Sequence, residues 1–305
     1  MRVGFSLPNI GTVATTSTVV QVAKRAEALG YDSLWVVDRL LYAVNPQTPY
    51  PATPDGSWPE VYKYALDPLE TLTFAAAHTG RIGLGTSILD IPYYNPVVLA
   101  RQLTTLDVLS GGRLRVGFGV GYFKDEFDAV GASLRDRGKR ADEFLQVLKL
   151  IWTTNPVEFH GNFFHIPRSH ISPKPVQKPH PPIYLAAFTP PALKRAATMA
   201  NGWNPVVIPV EGMTQMIAQL REMAKAAGRN PAELEVIVRG NIVITTQSLG
   251  KDRWIFTGSL DQIKADIDQV RALGANEVFF DPTFSPDGET EKAILACMER
   301  MRKLV

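Results

Sequence analysis

The stretch "RAEALGYDSLWVVDRL", Arg25 to Leu40, decides the fold, because a looser copy, "VRALGANEVFFDP", returns at Val270 to Pro282 near the other end of the chain. Each copy reads as an amphipathic helix that stops at a glycine and hands over to a buried strand. In the first, Val19, Val22, Ala23, Ala26 and Leu29 recur at helical spacing, with Ser17 or Thr18 placed to cap the start. Gly30 ends this helix, since glycine enters the left-handed conformation of a C-terminal turn without steric penalty. Ser33 to Val37 follows as an apolar run without alternation, which suits a parallel strand covered on both faces. In the second copy Ser259 and Gln262 form a capping box, Ile263, Ile267 and Val270 make the stripe, Gly274 is the stop and Val278 to Phe280 the strand. Two such units imply a repeated βα architecture.

The rest of the chain continues the alternation. Strands are predicted at Arg2 to Leu7, Ser33 to Val37, Arg81 to Gly85, Arg113 to Gly119, Ile183 to Ala187, Trp203 to Ile208, Glu235 to Ile244 and Glu277 to Asp281. Helix starts are marked by a capping residue before proline: Asp67 and Pro68, Asn95 and Pro96, Thr189 and Pro190, Asn230 and Pro231. A last helix is expected over Thr290 to Leu304. Two proline-rich stretches, Asn45 to Pro59 and Pro156 to Pro182, cannot be regular helix and read as long loops. "EFHGNFFHI", Glu158 to Ile166, reads as a small hairpin inside the second.

Eight βα units closed by a helix favour a (β/α)8 TIM barrel over a doubly wound sheet. The open sheet would more often carry G-x-G-x-x-G after its first strand, and "LPNIGTVAT" lacks it. The expected organisation is one barrel domain over 1–305, with long loops after strands at the C-terminal face, inserted at about 41–66 and 155–182. Barrel sites lie at the C-terminal face, so Asp38 and Asp281, at the ends of the two quoted segments, are placed there.

Composition narrows the function. The 305 residues are 45% hydrophobic and 20% charged, as in an ordinary globular protein, and the formal net charge of +2 predicts no general attraction to nucleic acid or anionic membrane. No apolar run approaches the roughly 20 residues of a membrane span, and the amino terminus reads directly as a strand, so a cytoplasmic location is expected. The single cysteine, Cys297, excludes an intramolecular disulfide and fits a reducing compartment. The five histidines show no metal-binding spacing, so no metal is expected.

Three stretches point to a ligand site. In "GRIGLGTSILDIPYYNP", Gly80 to Pro96, the apolar register breaks at Thr86 and Ser87, which implies a bulge. In "GGRLRVGFGVGYF", Gly111 to Phe123, Gly117, Gly119 and Gly121 leave one side of a strand end bare; either a flat molecule approaches the backbone there, or the glycines relieve crowding in the barrel. In "IYLAAFTPPALKRAATMANGW", Ile183 to Trp203, a capped helix begins at Thr189 and offers its N-terminus to an anion.

Together with "AEALGYDSLWVVDR" and "RGKRADEFLQVLKLIW", these motifs resemble the luciferase-like flavin and deazaflavin oxidoreductases, particularly their coenzyme F420-dependent branch, in order and over nearly the whole chain. The resemblance implies a barrel whose C-terminal-face pocket holds a tricyclic cofactor. It implies a bulge with a non-prolyl cis peptide at Ser87 and Ile88 behind the ring, and Asp90 near the ring edge. Gly119, Val120, Gly121 and Tyr122 would run beside the ring and its chain, Asp38 would contribute from the second strand, and Phe188 and Thr189 would sit at the phosphate end.

Many F420-dependent members carry Asp-His after the second strand, where this chain has Asp38 and Arg39. A guanidinium cannot be a general base at neutral pH, although it can stabilise a developing anion. Family sugar-phosphate dehydrogenases place a glutamate where Tyr122 stands, which argues against that activity. The expected chemistry is hydride transfer between coenzyme F420 and a small organic substrate, with Asp38, Arg39 and Tyr122 as candidate catalytic residues. The alternatives are an FMN-dependent luciferase-like monooxygenase and a non-catalytic F420- or flavin-binding carrier. Family members commonly pair through outer helices, so a homodimer is expected.

Overall fold

Residues 1–206 and 208–305 are described by the computed structural model. Along the chain run β1 (Arg2–Ser6), α1 (Thr16–Ala28), β2 (Ser33–Val36), α2 (Pro68–His78), β3 (Gly83–Thr86), α3 (Pro96–Leu109), β4 (Leu114–Gly119) and α4 (Arg137–Thr153). They are followed by β5 (Ile183–Leu185), α5 (Pro190–Met199), β6 (Gly202–Trp203), α6 (Val210–Ala226), β7 (Glu235–Asn241), α7 (Leu260–Ala272), β8 (Glu277–Asp281) and α8 (Glu291–Arg302). The strands are parallel and close on themselves, with β3 pairing β4 and β8 pairing both β7 and β1. A closed TIM barrel removes exposed sheet edges. The two quoted segments deliver the strands on either side of β1: Phe5 pairs with Leu34 of β2 and Phe280 of β8.

The local chemistry explains the boundaries. Gly30 and Gly274 end α1 and α7 at φ of 76° and 80°, a region costly for side chains with a Cβ. Asp67 and Asn95 cap α2 and α3, and Ser259 with Gln262 makes a complete capping box. Thr15, not Ser17 or Thr18, caps α1, because the helix already begins at Thr16. Asn230 and Pro231 open only a single 3-10 turn, since Leu234 must turn extended to enter β7. The strand expected over Trp203 to Ile208 pairs regularly only at Gly202–Trp203, with one further bridge from Val206 to Arg239; Val207 lies outside the described residues.

Inside the barrel β7 and β8 each alternate inward at period two, Glu235, Ile237, Arg239 and Glu277, Phe279, Asp281. At the N-terminal end the buried Glu277 accepts hydrogen bonds from Ser33, Trp35, Arg2 and Arg115. A depression of about 560 Å³ opens beside this network, lined by Arg2, Arg115, Tyr184 and Glu235, whose charges are already paired with one another. A middle layer of Trp35, Tyr184, Ile237 and Phe279 separates it from the C-terminal end.

The two long loops go to different places. Residues 41–66 follow β2 and pack over the C-terminal end, where Trp58 and Tyr62 join Ile10, Val37 and Phe123 in a separate apolar cluster. The stretch 155–182 does not follow a strand. It links α4 to β5 and finishes at the N-terminal end, where Gln177 bonds Asp107 and the carbonyl of Leu114. Of the two long loops, only the first therefore follows a strand at the C-terminal face. The hairpin within the second is present, Val157–His160 against His165–Ser169, and the Glu143 carboxylate accepts three backbone N–H groups at its turn.

Candidate active site

At the C-terminal end of β3 the pairing with β4 slips by one residue, from Gly85↔Arg115 to Leu89↔Phe118. One extra residue on one strand is a β-bulge. The Ser87–Ile88 peptide within it is cis. Three neighbours hold the bulge: Ser87 N–H donates to Val36 O at 2.7 Å, Ser87 Oγ donates to Asn204 Oδ1 at 2.7 Å, and Arg239 Nη1 donates to Ser87 O at 3.3 Å. Ile88 stays partly exposed.

The bare side of β4 is not open. A Cβ on Gly117 would strike the Thr86 carbonyl, and one on Gly119 would strike Ile88 and come within 2.8 Å of Asp90 Oδ1. Of the two readings, relief of crowding applies to Gly117 and Gly119, because the bulge fills that space. Gly121 has φ of 63°, and its Cβ would lie 2.8 Å from the Phe127 ring.

Asp38 and Asp90 meet beside the bulge. Asp38 Oδ2 accepts the Tyr94 hydroxyl at 2.8 Å and the Asp90 N–H at 3.4 Å. Asp90 is 8% exposed. Burial pushes Asp38 up to about 6, opposed by the Tyr94 hydrogen bond. Burial, then the neighbouring Asp38 charge, pushes Asp90 up to about 7.

Arg39 does not pair with Asp38. Its Nη1 lies 2.9 Å from Glu126 Oε2, with the side chains 10% and 1% exposed. Its guanidinium is 5.0 Å from the Trp58 ring, 4.9 Å from Tyr62 and 5.9 Å from Phe123, within cation–π range of all three. Burial opposes the charge, and the Glu126 carboxylate more than offsets it, so the guanidinium pKa is raised. Glu126 also accepts the Tyr93 hydroxyl and the Leu40 N–H, each at 2.8 Å. Arg39 thus clamps the 41–66 loop to the short helix Lys124–Ala129. Tyr122, 40% exposed, stacks on Trp58 at 6.3 Å, and burial of its hydroxyl raises its pKa.

Asp281 is also fully engaged. It pairs with Arg239 at 2.5 Å and accepts the Thr283 N–H at 3.0 Å. Phe188 and Thr189 are exposed at the start of α5. The Thr189 side chain makes no capping bond, and Pro190 and Pro191 carry no N–H, so Ala192 brings the first helical amide.

The structure therefore gathers Asp38, Ser87, Ile88, Asp90 and Gly119 by direct contacts, with Val120, Gly121 and Tyr122 continuing from β4. Phe188 and Thr189 follow the adjacent β5. Glu126, Tyr94 and Arg239 escaped the sequence reading. A signal existed for Arg239, a lone arginine in the apolar run "EVIVRGNIVI" at the same parity as the inward Ile237. Among the described residues no three histidine, cysteine or carboxylate side chains converge as a metal site, and no helix is long and apolar enough to cross a membrane.

A family model described as luciferase-like monooxygenase matches residues 1–249. The chain is 30% identical over 221 residues to an F420-dependent glucose-6-phosphate dehydrogenase of Kineococcus radiotolerans, covering 70% of this chain and 60% of that one. It is 32% identical over 216 residues to an FMNH(2)-dependent dimethylsulfone monooxygenase of Pseudomonas putida, covering 70% and 57%. Among solved structures it superposes on the monooxygenase RslO1 from Streptomyces bottropensis with a TM-score of 0.81 at 23% identity, covering 100% and 98% of the chains, a likeness of fold.

Proposed function

Because the chain belongs to the luciferase-like monooxygenase family, we propose that it is an oxidoreductase whose C-terminal-face pocket binds coenzyme F420 and a small organic substrate. When bound, the deazaflavin supplies the hydride chemistry. The observation that carries this reading is the bulged end of β3, where Ile88 stays partly exposed beside the half-buried carboxylate of Asp38 and the buried one of Asp90. A flat ring needs an apolar backing with a few fixed polar groups at its edge, and these residues offer both. Val120, Gly121 and Tyr122 line one flank. Phe188 and Thr189, at an uncapped helix start, suit the phosphate end through the helix dipole.

Within the pocket Asp38 faces the substrate, with Tyr94 fixing its carboxylate. Arg39 holds the aromatic loop wall of Trp58 and Tyr62 in place, and that wall with Tyr122 excludes water. FMN use remains the second reading, favoured by the dimethylsulfone monooxygenase relative. The protein acts as one barrel domain in the cytoplasm and pairs as a homodimer, which sedimentation at micromolar concentration checks.

The test is a side-by-side titration of the purified chain with F420 and FMN at one ionic strength. F420 binding at least about tenfold tighter, worth roughly 1.4 kcal/mol, supports the deazaflavin reading. The reverse preference transfers the site to FMN. Binding of neither removes it. Single-turnover reduction of a substrate by bound reduced F420 separates an enzyme from a carrier.

A further inference from the structure

Four carboxylates crowd the C-terminal end of the barrel, and they are not equivalent. Glu126 has Arg39 at 2.9 Å and Asp281 has Arg239 at 2.5 Å. Asp38 and Asp90 have no cation within ion-pair distance among the described residues. The groups facing them are Tyr94 and Tyr93 from the segment before α3, Arg39 and Tyr122 from the strand ends, and Glu126 from the helix Lys124–Ala129. Tyr94 binds Asp38, the Gly121 N–H supports Asp90, and Arg39 is turned to Glu126. Two neighbouring carboxylates, one half-buried and one buried, without a counter-ion cannot both ionise cheaply, as in paired-aspartate sites elsewhere.

We propose that Asp38 and Asp90 form a coupled carboxylate dyad that ionises in two steps, and that this dyad is the proton store of the site. It rests on the function proposed above only for the reaction it serves. Asp38 is partly exposed, whereas Asp90 is buried behind it against Gly119. The singly protonated pair gives its proton to a substrate oxygen that has gained an electron pair, and leaves with two negative charges. In the opposite direction the doubly ionised pair takes the proton of a substrate hydroxyl, whose O–H electrons stay on oxygen. The hydride that accompanies either event belongs to the deazaflavin chemistry. The dyad thus supplies the acid–base function that Arg39, fixed as a cation, cannot.

The experiment is a pH titration by NMR of the full chain labelled with 13C at the aspartate carboxyl carbons, without cofactor. Two coupled carboxyl titrations above the ordinary aspartate range are expected, one of them near neutrality. In Asp38→Asn the Asp90 midpoint falls by about one pH unit or more, a tenfold gain in acidity. Tyr94→Phe, which keeps both carboxylates, raises the Asp38 midpoint by removing the donor to its ionised form. An Asp90 midpoint unmoved in Asp38→Asn, or both carboxyls titrating in the ordinary range, overturns the dyad. Since no cofactor is present, failure of F420 binding leaves this result untouched, and the two readings fail separately.

Discussion

Tyr93 and Tyr94 stand side by side in the chain and donate their hydroxyls to different carboxylates, Tyr93 to Glu126 and Tyr94 to Asp38, each at 2.8 Å. The pair divides the acidic groups of the site into one with a cation and one without. Glu126 with Arg39 is a structural clamp. Asp38 with Asp90 is left to titrate.

Glu126→Ala leaves the Arg39 guanidinium buried without its counter-ion. Breaking a buried pair from one side costs about 3–5 kcal/mol. A large fall in thermal midpoint is expected, together with faster proteolysis within residues 41–66, because that loop packs on the Arg39 side chain. Thermal melts and limited digestion measure both; an unchanged melt would mean that the clamp carries no stability.

The crowded glycines make a sharp contrast. Gly117→Ala drives a methyl into the Thr86 carbonyl, a backbone atom that cannot swing aside, so a loss of at least about 1–3 kcal/mol is expected. Gly80→Ala meets nothing within 4 Å at an unremarkable φ and is expected to stay within about 0.5 kcal/mol of the parent. Equal denaturant midpoints for the two variants would contradict the bulge packing.

Stability should fall as pH rises through the range where the dyad ionises. The folded values of Asp38 and Asp90 are pushed up from 3.8 to about 6 and about 7, so the folded chain holds more protons than the unfolded one across that interval. Their contribution is full below the unfolded value and is lost as pH passes the folded values, at up to about 1.4 kcal/mol per pH unit for each proton. Asp90→Asn removes part of this slope, so its stability relative to the parent improves between pH 4 and pH 8. Parallel curves for the two proteins would refute the assignment.

At the anion end, Thr189→Asp puts a negative charge at the exposed start of α5 without removing any capping bond. The melt is expected to stay within about 0.5 kcal/mol, while F420 affinity falls by about tenfold or more. Isothermal titration of both proteins decides it; unchanged affinity would place the phosphate elsewhere.

Much of the fold was legible because a parallel strand buried on both faces has to be apolar, and a helix that ends before such a strand favours glycine. Leu34 to Val36 and Val278 to Phe280 carry those signs openly. The bulge was legible at Thr86 and Ser87, where the apolar run breaks. The site's wiring was not. Tyr94 and Asp38 are 56 positions apart, and Arg239 and Asp281 are 42 apart, so no local pattern announces either pair. The bare face of Gly117 and Gly119 stayed ambiguous for the same reason: the atoms that fill it belong to the neighbouring strand. Whether residues 155–182 shape the pocket could be decided only by knowing which end of the barrel they join.

The apolar layer of Trp35, Tyr184, Ile237 and Phe279, with Trp35 stacked on Phe279 at 5.1 Å, is the partition between two polar chambers. The ion network around Glu277 occupies one and the carboxylates of Asp38 and Asp90 the other, with no shared hydrogen-bond partner across the rings among the described residues. Changes on opposite sides should therefore combine additively. The lower chamber can be rebuilt for heat tolerance while the upper one is reshaped for a different substrate, and neither effort need know of the other.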